Sequence, residues 1–230
     1  MWLSKGRCLA LAIVALPLCS FASNELYKAK DWVIDNTFTQ GIEGPAVDKH
    51  GLLYAVNFAK EGTIGRVTSK NTAELYIQLP KNSVGNGIRF DKQGNMYIAD
   101  YVNHNILIID TNTQKKLSAE QRTAEVYAHS SLMNQPNDIA IMDNGVLFAS
   151  DPNWANSSGK LWRINKKQDL ILLEENMGTT NGIEVSPDDK TLYVNESVQR
   201  NIWRYELDEQ GGISNKSLLI HFADFGLDGM

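Results

Sequence analysis

Short apolar segments separated by tight polar turns recur through most of this chain. The first example, residues 45–55, reads as a strand, a turn at Asp48-Lys49-His50-Gly51 and a second strand. The same pattern returns at residues 87–98, 138–148 and 182–194. Apolar runs of this length between clusters of Gly, Asn and Asp are typical of β-hairpins. No long apolar stripe occurs at helical spacing, and the longest helix candidate, residues 117–126, lacks a clear apolar face.

The hairpins recur at a nearly constant spacing. The turn glycines Gly51, Gly94 and Gly145 lie 43 and 51 residues apart. Each repeat also contains a third strand, at 63–68, 105–110, 159–165 and 201–207, and a fourth, at 73–79, 124–129, 169–174 and 217–222. Four strands per repeat at this period are typical of a β-propeller, whereas a β-sandwich would not repeat one motif four times. We therefore predict an all-β fold, a β-propeller of four-stranded antiparallel blades near residues 43–80, 86–130, 137–177 and 181–225.

The first 22 residues have the features of a signal peptide. Lys5 and Arg7 precede an apolar run of 11 residues, 8–18, and small residues at Ser20 and Ala22 offer a cleavage site. A membrane anchor would need a longer apolar run, and Leu18 is bulky for a lipoprotein site at Cys19. We expect residues 23–230 to form an exported protein, periplasmic or secreted, with no membrane span.

Composition and charge narrow the classes of function. The 230 residues are 43% hydrophobic and carry a net charge of −5, which suits a soluble folded chain and not a nucleic-acid binder. Both cysteines, Cys8 and Cys19, lie in the predicted signal peptide, so the mature chain would contain no disulfide. We expect a monomer whose partner is a small molecule.

One position of the repeat carries a side-chain oxygen each time. The residues that open the inner strands are Glu43, Asn86, Asn137, Asn181 and Asp228. Inner strands line the channel of a propeller, so these residues would form a ring of two carboxylates and three amides. Such oxygens suit a hard cation, Ca²⁺ above all, and the absence of His and Cys from the ring weighs against zinc. The alternative is that the Asn-Gly and Asp-Gly pairs simply form turns.

The loops at the mouth of the channel are candidates for substrate contact. Adjacent strands are antiparallel, so the loops after Asn57, Asp100, Asp151 and Glu196 return to the end where the ring lies. Asn103 and Trp154 lie on two of these loops, which usually carry specificity. Packing between blades is an equally plausible role for Trp154.

The ring motifs resemble those of the senescence marker protein/gluconolactonase/luciferin-regenerating enzyme family. The similar segments are Glu43-Gly44-Pro45, Asn137-Asp138, Asn181-Gly182-Ile183 and Asp228-Gly229-Met230, in a likeness that begins near Gly41. The resemblance implies a six-bladed propeller with a divalent cation held by Glu43, Asn137, Asn181 and Asp228, and hydrolysis of sugar lactones. Many sugar-lactone members carry an Arg where this chain has Gln135.

The expected function is a divalent-metal-dependent, gluconolactonase-like hydrolase of lactones. The cation would polarise the lactone carbonyl, and Asp228 or Asp151 would be the base for the attacking water. We expect Asn86, Gln135, Trp154 and Asn103 to contact the substrate. The alternatives are a non-catalytic binding module with a structural calcium, or a hydrolase of organophosphates or aromatic esters.

The number of blades leads to one further expectation. Four repeats are present and a fifth begins at Asp228, while the resemblance implies six blades. We expect a partial propeller that lacks about two blades, has Asp228 on a frayed terminus and shows little activity alone.

Overall fold

The computed structural model describes residues 28–230. Trp32–Met230 form one compact unit, and residues 28–31, which belong to another, have no regular secondary structure. The predicted signal peptide, residues 1–22, lies outside the described residues. Within the described range, no helix combines the length and the apolar character needed to cross a membrane.

Sixteen strands of the described chain form four antiparallel sheets of four strands each. Blade 1 contains β1 (Ala46–Val47), β2 (Leu53–Val56), β3 (Thr63–Ser69) and β4 (Thr72–Gln78). Blade 2 contains β5 (Gly85–Phe90), β6 (Met96–Asp100), β7 (Asn105–Ile109) and β8 (Glu125–His129). Blade 3 contains β9 (Ile139–Ile141), β10 (Leu147–Asn153), β11 (Ser158–Ile164) and β12 (Leu170–Met177). Blade 4 contains β13 (Thr180–Val185), β14 (Thr191–Glu196), β15 (Asn201–Leu207) and β16 (Ile213–His221).

The strands of each blade pair in the order of the sequence, and the first strands of successive blades lie side by side. This is the arrangement of a β-propeller, in which the first strand of each blade is innermost. The predicted fold class is confirmed. One turn of 3₁₀ helix, Trp154–Asn156, is the sole helical segment of the described residues. The helix candidate at 117–126 is instead turn and loop as far as residue 124, and its last two residues begin β8.

The hydrophobic core is divided into three clusters, each between two successive blades. Ile64 and Ile98 lie in the cluster between blades 1 and 2, Ala99 and Leu147 in the next, and Phe148 in the cluster between blades 3 and 4. All five side chains are fully buried. Successive blades therefore pack face to face, and blades 2 and 3 bury both of their faces, because adjacent residues of one strand point to opposite sides of its sheet.

In blades 1 and 2, an Asp side chain stabilises the turn between the first two strands, which explains why this turn recurs in the sequence. Oδ1 of Asp48 accepts hydrogen bonds of 2.9 Å from the N–H groups of His50 and Leu52. Asp91 does the same in blade 2 with Gly94 and Asn95, at 2.7 and 2.8 Å. An Asp side chain that bonds its own backbone stabilises such turns. The β15–β16 hairpin differs from the prediction. Ile213 pairs with Leu207, so β16 begins four residues before the predicted start.

Candidate functional site

The five ring residues predicted from the repeat lie at the same two cavities. A cavity of about 550 Å³ and a second of about 350 Å³ share these residues in their linings. The shared residues are Glu43, Asn86, Asn137, Asn181 and Asp228. The ring is therefore the common boundary of two cavities that lie on either side of it along the inner strands.

The Asn-Gly pairs of the ring are parts of strands and not turns. Asn86-Gly87 lies in β5 and Asn181-Gly182 in β13, and in both strands the register shifts at this pair. A Cβ on Gly87 would lie 2.8 Å from the carbonyl oxygen of Asn137. The glycine thus allows the next inner strand to approach the axis, which removes the turn-forming alternative for these two pairs.

Asp228 is held in the ring by the fourth blade. The Asn195 side chain donates a hydrogen bond to the backbone carbonyl of Asp228, and the N–H of Leu227 donates to the carbonyl of Ser197 at 3.3 Å. This anchoring differs from the frayed Asp228 expected from the sequence, because the buried Asn195 side chain fixes the backbone at this residue.

The two ring carboxylates influence each other electrostatically. Burial raises the pKa of Glu43, and the negative charges of Asp228 and, to a smaller extent, Asp138 raise it further. The N–H of Gly44 opposes this change by bonding the carboxylate. Glu43 therefore lies where a positive charge would be stabilising.

The amide side chains of the ring have unused polar atoms. Asn137 is 8% exposed and Asn181 is 5% exposed, yet neither side chain forms a hydrogen bond with the described protein atoms. Buried amides normally find a partner. Residues 28–230 contain no cluster of three or more His, Cys, Asp or Glu side chains with metal-binding geometry. Two carboxylates with amide oxygens fit a hard cation, and the amides would have to supply part of its coordination.

The mouth of the larger cavity is formed by the four loops expected from strand direction. Glu61, Tyr101, Trp154 and Ser197 line it, one from each loop, together with Gln135. Trp154 is 44% exposed, so its predicted place at the mouth agrees with the structure. The sequence analysis did not single out Tyr101 and Glu61. Tyr101 directly follows Asp100, so it lies on one of the loops that strand direction places at the mouth.

Asn103 does not line either ring cavity. Its side chain donates to Oγ of Ser83 at 3.1 Å and to Oδ2 of Asp100 at 3.3 Å. These bonds turn the amide back onto its own blade. The expected substrate contact by Asn103 is therefore corrected to a structural role in the β6–β7 loop.

Asp151 is also placed away from the cavities, at the end of β10. Its carboxylate accepts hydrogen bonds from the N–H groups of Asn134 and Gln135, at 2.8 and 2.7 Å, and from Nε1 of Trp162 at 2.8 Å. The side chain is fully buried, and burial raises its pKa. Because both carboxylate oxygens accept hydrogen bonds and the side chain has no access to the cavity, Asp151 cannot contact a substrate water. The expected catalytic role of Asp151 is therefore corrected to a structural one.

The same arrangement occurs in the neighbouring blades. Asp100 accepts a hydrogen bond from the N–H of Val84 at 3.2 Å, and Glu196 accepts one from Gly178 at 2.7 Å. In blades 2, 3 and 4, a carboxylate at or near the end of the second strand thus holds the segment that leads into the first strand. Asp151 is one member of this structural series.

Comparisons with known proteins agree with this architecture. The model of the SMP-30/Gluconolactonase/LRE-like region matches residues 42–230. A gluconolactonase of Zymomonas mobilis is 29% identical over 164 residues, which are 63% of this chain and 44% of that protein. The chain thus spans less than half the length of this relative.

Two solved structures share the fold. A gluconolactonase from Xanthomonas campestris superposes with a TM-score of 0.66 at 18% identity, covering 86% of this chain and 67% of the other. A calcium-binding protein, regucalcin, from Agrobacterium tumefaciens gives 0.68 at 20% identity, covering 86% and 65%. At these identities the likeness establishes the propeller fold alone.

Proposed function

This chain belongs to the SMP-30/gluconolactonase/LRE-like family, and on that premise we propose that it carries the cation-binding centre of a lactone hydrolase. The observation that supports this proposal most directly is the convergence of the five ring side chains on one boundary between two cavities. The relative from Zymomonas mobilis, a gluconolactonase, supports the choice of lactones as the substrate class.

Ca²⁺ is the cation that the ring suits best. Glu43 and Asp228 would supply charge, and Asn137 and Asn181 would supply amide oxygens that lack other partners. A positive ion between the two carboxylates would offset the burial and the repulsion from Asp228, which together raise the pKa of Glu43. The fold neighbour described as a calcium-binding protein also supports this choice.

The cation and two sets of side chains would carry out the chemistry. The bound cation would supply Lewis-acid polarisation of the lactone carbonyl. Asp228 would accept the proton of the attacking water, since its carboxylate lines the cavity and is engaged by no hydrogen bond from the described residues. Asn86 and Gln135 line the same cavity and would orient the substrate by donating amide N–H groups. Hydrolysis of the ester bond opens the lactone and gives a hydroxy acid.

The walls of the cavity favour a substrate with an apolar face. Tyr101 and Trp154 bring aromatic rings from adjacent blades to the mouth, while Gln135 offers no charge. Aromatic lactones and esters are therefore the second candidate substrates beside sugar lactones. A non-catalytic module with a structural calcium is the alternative in which the same ring holds an ion without turnover.

Lactone hydrolysis by the purified chain distinguishes these possibilities. The assay compares a sugar lactone, an aromatic lactone and an aryl phosphotriester, each with chelator and after Ca²⁺ is restored. Because Asp228 is anchored to blade 4 and not frayed, we expect, in place of the little activity predicted from the number of blades, chelator-sensitive hydrolysis of at least one lactone that Ca²⁺ restores. Calcium binding without hydrolysis of any of these compounds would favour the binding module, and hydrolysis unaffected by chelator would contradict the role of the cation.

A further inference from the structure

A small cavity lined by basic side chains lies between blades 1 and 2, at the end of the blades opposite the ring. Its volume is about 90 Å³. It is formed by the β1–β2 turn of blade 1 and the β7–β8 connection of blade 2. None of its lining residues belongs to the two ring cavities. This cavity is therefore separate from the proposed active site.

The charge of this cavity is opposite to that of the whole chain. Lys49, Arg66, Lys115 and Arg122 line it, and Asp48 supplies the sole carboxylate among the described lining residues. Arg66 is paired with Glu74, which does not line the cavity, so Lys49, Lys115 and Arg122 remain against Asp48, a net charge of +2 in a chain of net charge −5. A concave surface with one sign of charge concentrates ions of the other sign.

The one carboxylate is already engaged. Oδ1 of Asp48 accepts hydrogen bonds from the N–H groups of His50 and Leu52, both at 2.9 Å. The hydroxyl of Tyr54 donates to Oδ2 at 3.3 Å. Asp48 is thus a turn-forming residue, and among the described residues Lys49, Lys115 and Arg122 form no ion pair, whereas Arg66 pairs with Glu74.

Arg122 is a buried cation that lines this cavity and has an unsatisfied polar atom. Its side chain is buried at 9% exposure, and it forms no ion pair with another described residue. Nη1 donates to the carbonyl of Tyr76 at 2.9 Å, and the guanidinium lies 4.4 Å from the centre of the Tyr76 ring. Nε is buried with no hydrogen-bond partner. Buried arginines are normally paired with an anion, because an unpaired buried charge is costly.

We propose that this cavity binds a tetrahedral oxyanion of the phosphate class, with Arg122 as the buried ligand and Lys49 and Lys115 at the rim. The volume corresponds to about three water molecules, which suits one oxyanion group and leaves no room for a lactone. A planar guanidinium is the side chain best matched to phosphate oxygens. The ligand would connect the turn of blade 1 to blade 2.

Calorimetric titration of the full chain with inorganic phosphate tests this proposal. Divalent cations are first removed, since they would pair with phosphate, and ionic strength is held constant with chloride. We expect saturable binding that falls by about tenfold or more in Arg122→Gln, the loss typical of a hydrogen bond to a charged group. Lys115→Ala should weaken binding by about threefold, because it removes one rim charge.

Lys116→Ala is the matched control, since Lys116 is also exposed and adjacent but does not line the cavity. If Arg122→Gln does not fold, the comparison of Lys115→Ala with Lys116→Ala still decides. Absence of saturable binding by the unsubstituted chain, equal losses in the two lysine variants, or acetate binding as tightly as phosphate would overturn the proposal.

A parallel titration with glycerol phosphate identifies the source of the ligand. Binding of the ester as tight as that of inorganic phosphate would support a phosphate group carried by a larger molecule. Preference for inorganic phosphate would support the free ion. The ring and its proposed hydrolysis play no part in these measurements, so either proposal can fail alone.

Discussion

The backbone N–H of Gly87, in blade 2, donates a hydrogen bond of 2.7 Å to the carbonyl oxygen of Asn137, which precedes the first strand of blade 3. Two consecutive positions of the ring are thereby joined through their backbones. The side chains of Asn86 and Asn137 remain available to the cavity. The geometry of the ring thus depends on the close approach of inner strands that are far apart in the sequence.

Replacement of Gly87 by Ala should disturb this approach. The new Cβ would lie 2.8 Å from both the carbonyl oxygen of Asn137 and the Cα of Asp138, so backbone would have to move. We expect a loss of about 1–3 kcal/mol in the free energy of unfolding, the usual cost of overpacking, measured by urea denaturation. Gly229→Ala is the control, because a Cβ there meets nothing within 4 Å. Equal stability of both variants would show that the inner strands accommodate a Cβ at position 87 without strain.

Removal of either ring carboxylate should weaken Ca²⁺ binding. We expect Glu43→Gln and Asp228→Asn each to lower the affinity by about tenfold or more, because charge dominates the attraction of a hard cation. Asn86→Ala should retain much of the binding, and Glu61→Gln, at the mouth of the same cavity, serves as the charge-matched control. Calorimetric titration measures all four, and unchanged affinity in both carboxylate variants would contradict the cation site.

Asp151→Ala should reduce stability more than it reduces chemistry. The change leaves the N–H groups of Asn134 and Gln135 and the indole of Trp162 without an acceptor. One unsatisfied buried donor costs about 1–3 kcal/mol, so the free energy of unfolding should fall by several kcal/mol. Asp151→Asn keeps one acceptor oxygen and should cost less. A variant with unchanged stability and abolished turnover would restore Asp151 as a catalytic residue.

Asp138 should make the stability of the cation-free protein depend on pH. Burial raises the pKa of Asp138 to about 6 from 3.8, against the opposing effect of Arg89, whose Nη2 lies 3.0 Å from Oδ2. The folded state therefore binds this proton more tightly than the unfolded state does. The stabilisation is complete below pH 3.8 and is lost as pH rises through about 6, by about 3 kcal/mol in total.

Comparison with Asp138→Asn isolates this contribution. In that variant the group cannot titrate, so the slope of stability against pH between about 4 and 6 should become more positive than in the unsubstituted chain. Urea denaturation in the presence of chelator at several pH values measures the difference. Parallel curves for the two proteins would show that Asp138 ionises in the folded state as it does in water.

The export signal stays a prediction from residues 1–22. Mass spectrometry of the chain recovered from the periplasm or medium should give an N-terminus at or near Ser23, because Ser20 and Ala22 match the small residues that signal peptidases need. An intact Met1 or a lipid on Cys19 would contradict this expectation.

The sequence by itself determined the repeat, the blade composition and the five ring positions. These features depend on local chemistry: the Asp48 and Asp91 side chains bond the backbone of their own turns, and the short apolar runs between the turns form buried strands. Equivalent positions in a repeat then share one place in the fold, which is why Asn86 and Asn181 can be grouped from the sequence alone.

The tertiary structure alone decided what individual polar side chains do. Asp151 looked like a base and Asn103 like a substrate contact, but both turn away from the cavity to bond neighbouring segments. Likewise, Gly87 resembles a turn residue in sequence and is instead a point of contact with blade 3. The direction of a side chain depends on packing between segments distant in the chain, and no local pattern contains that information.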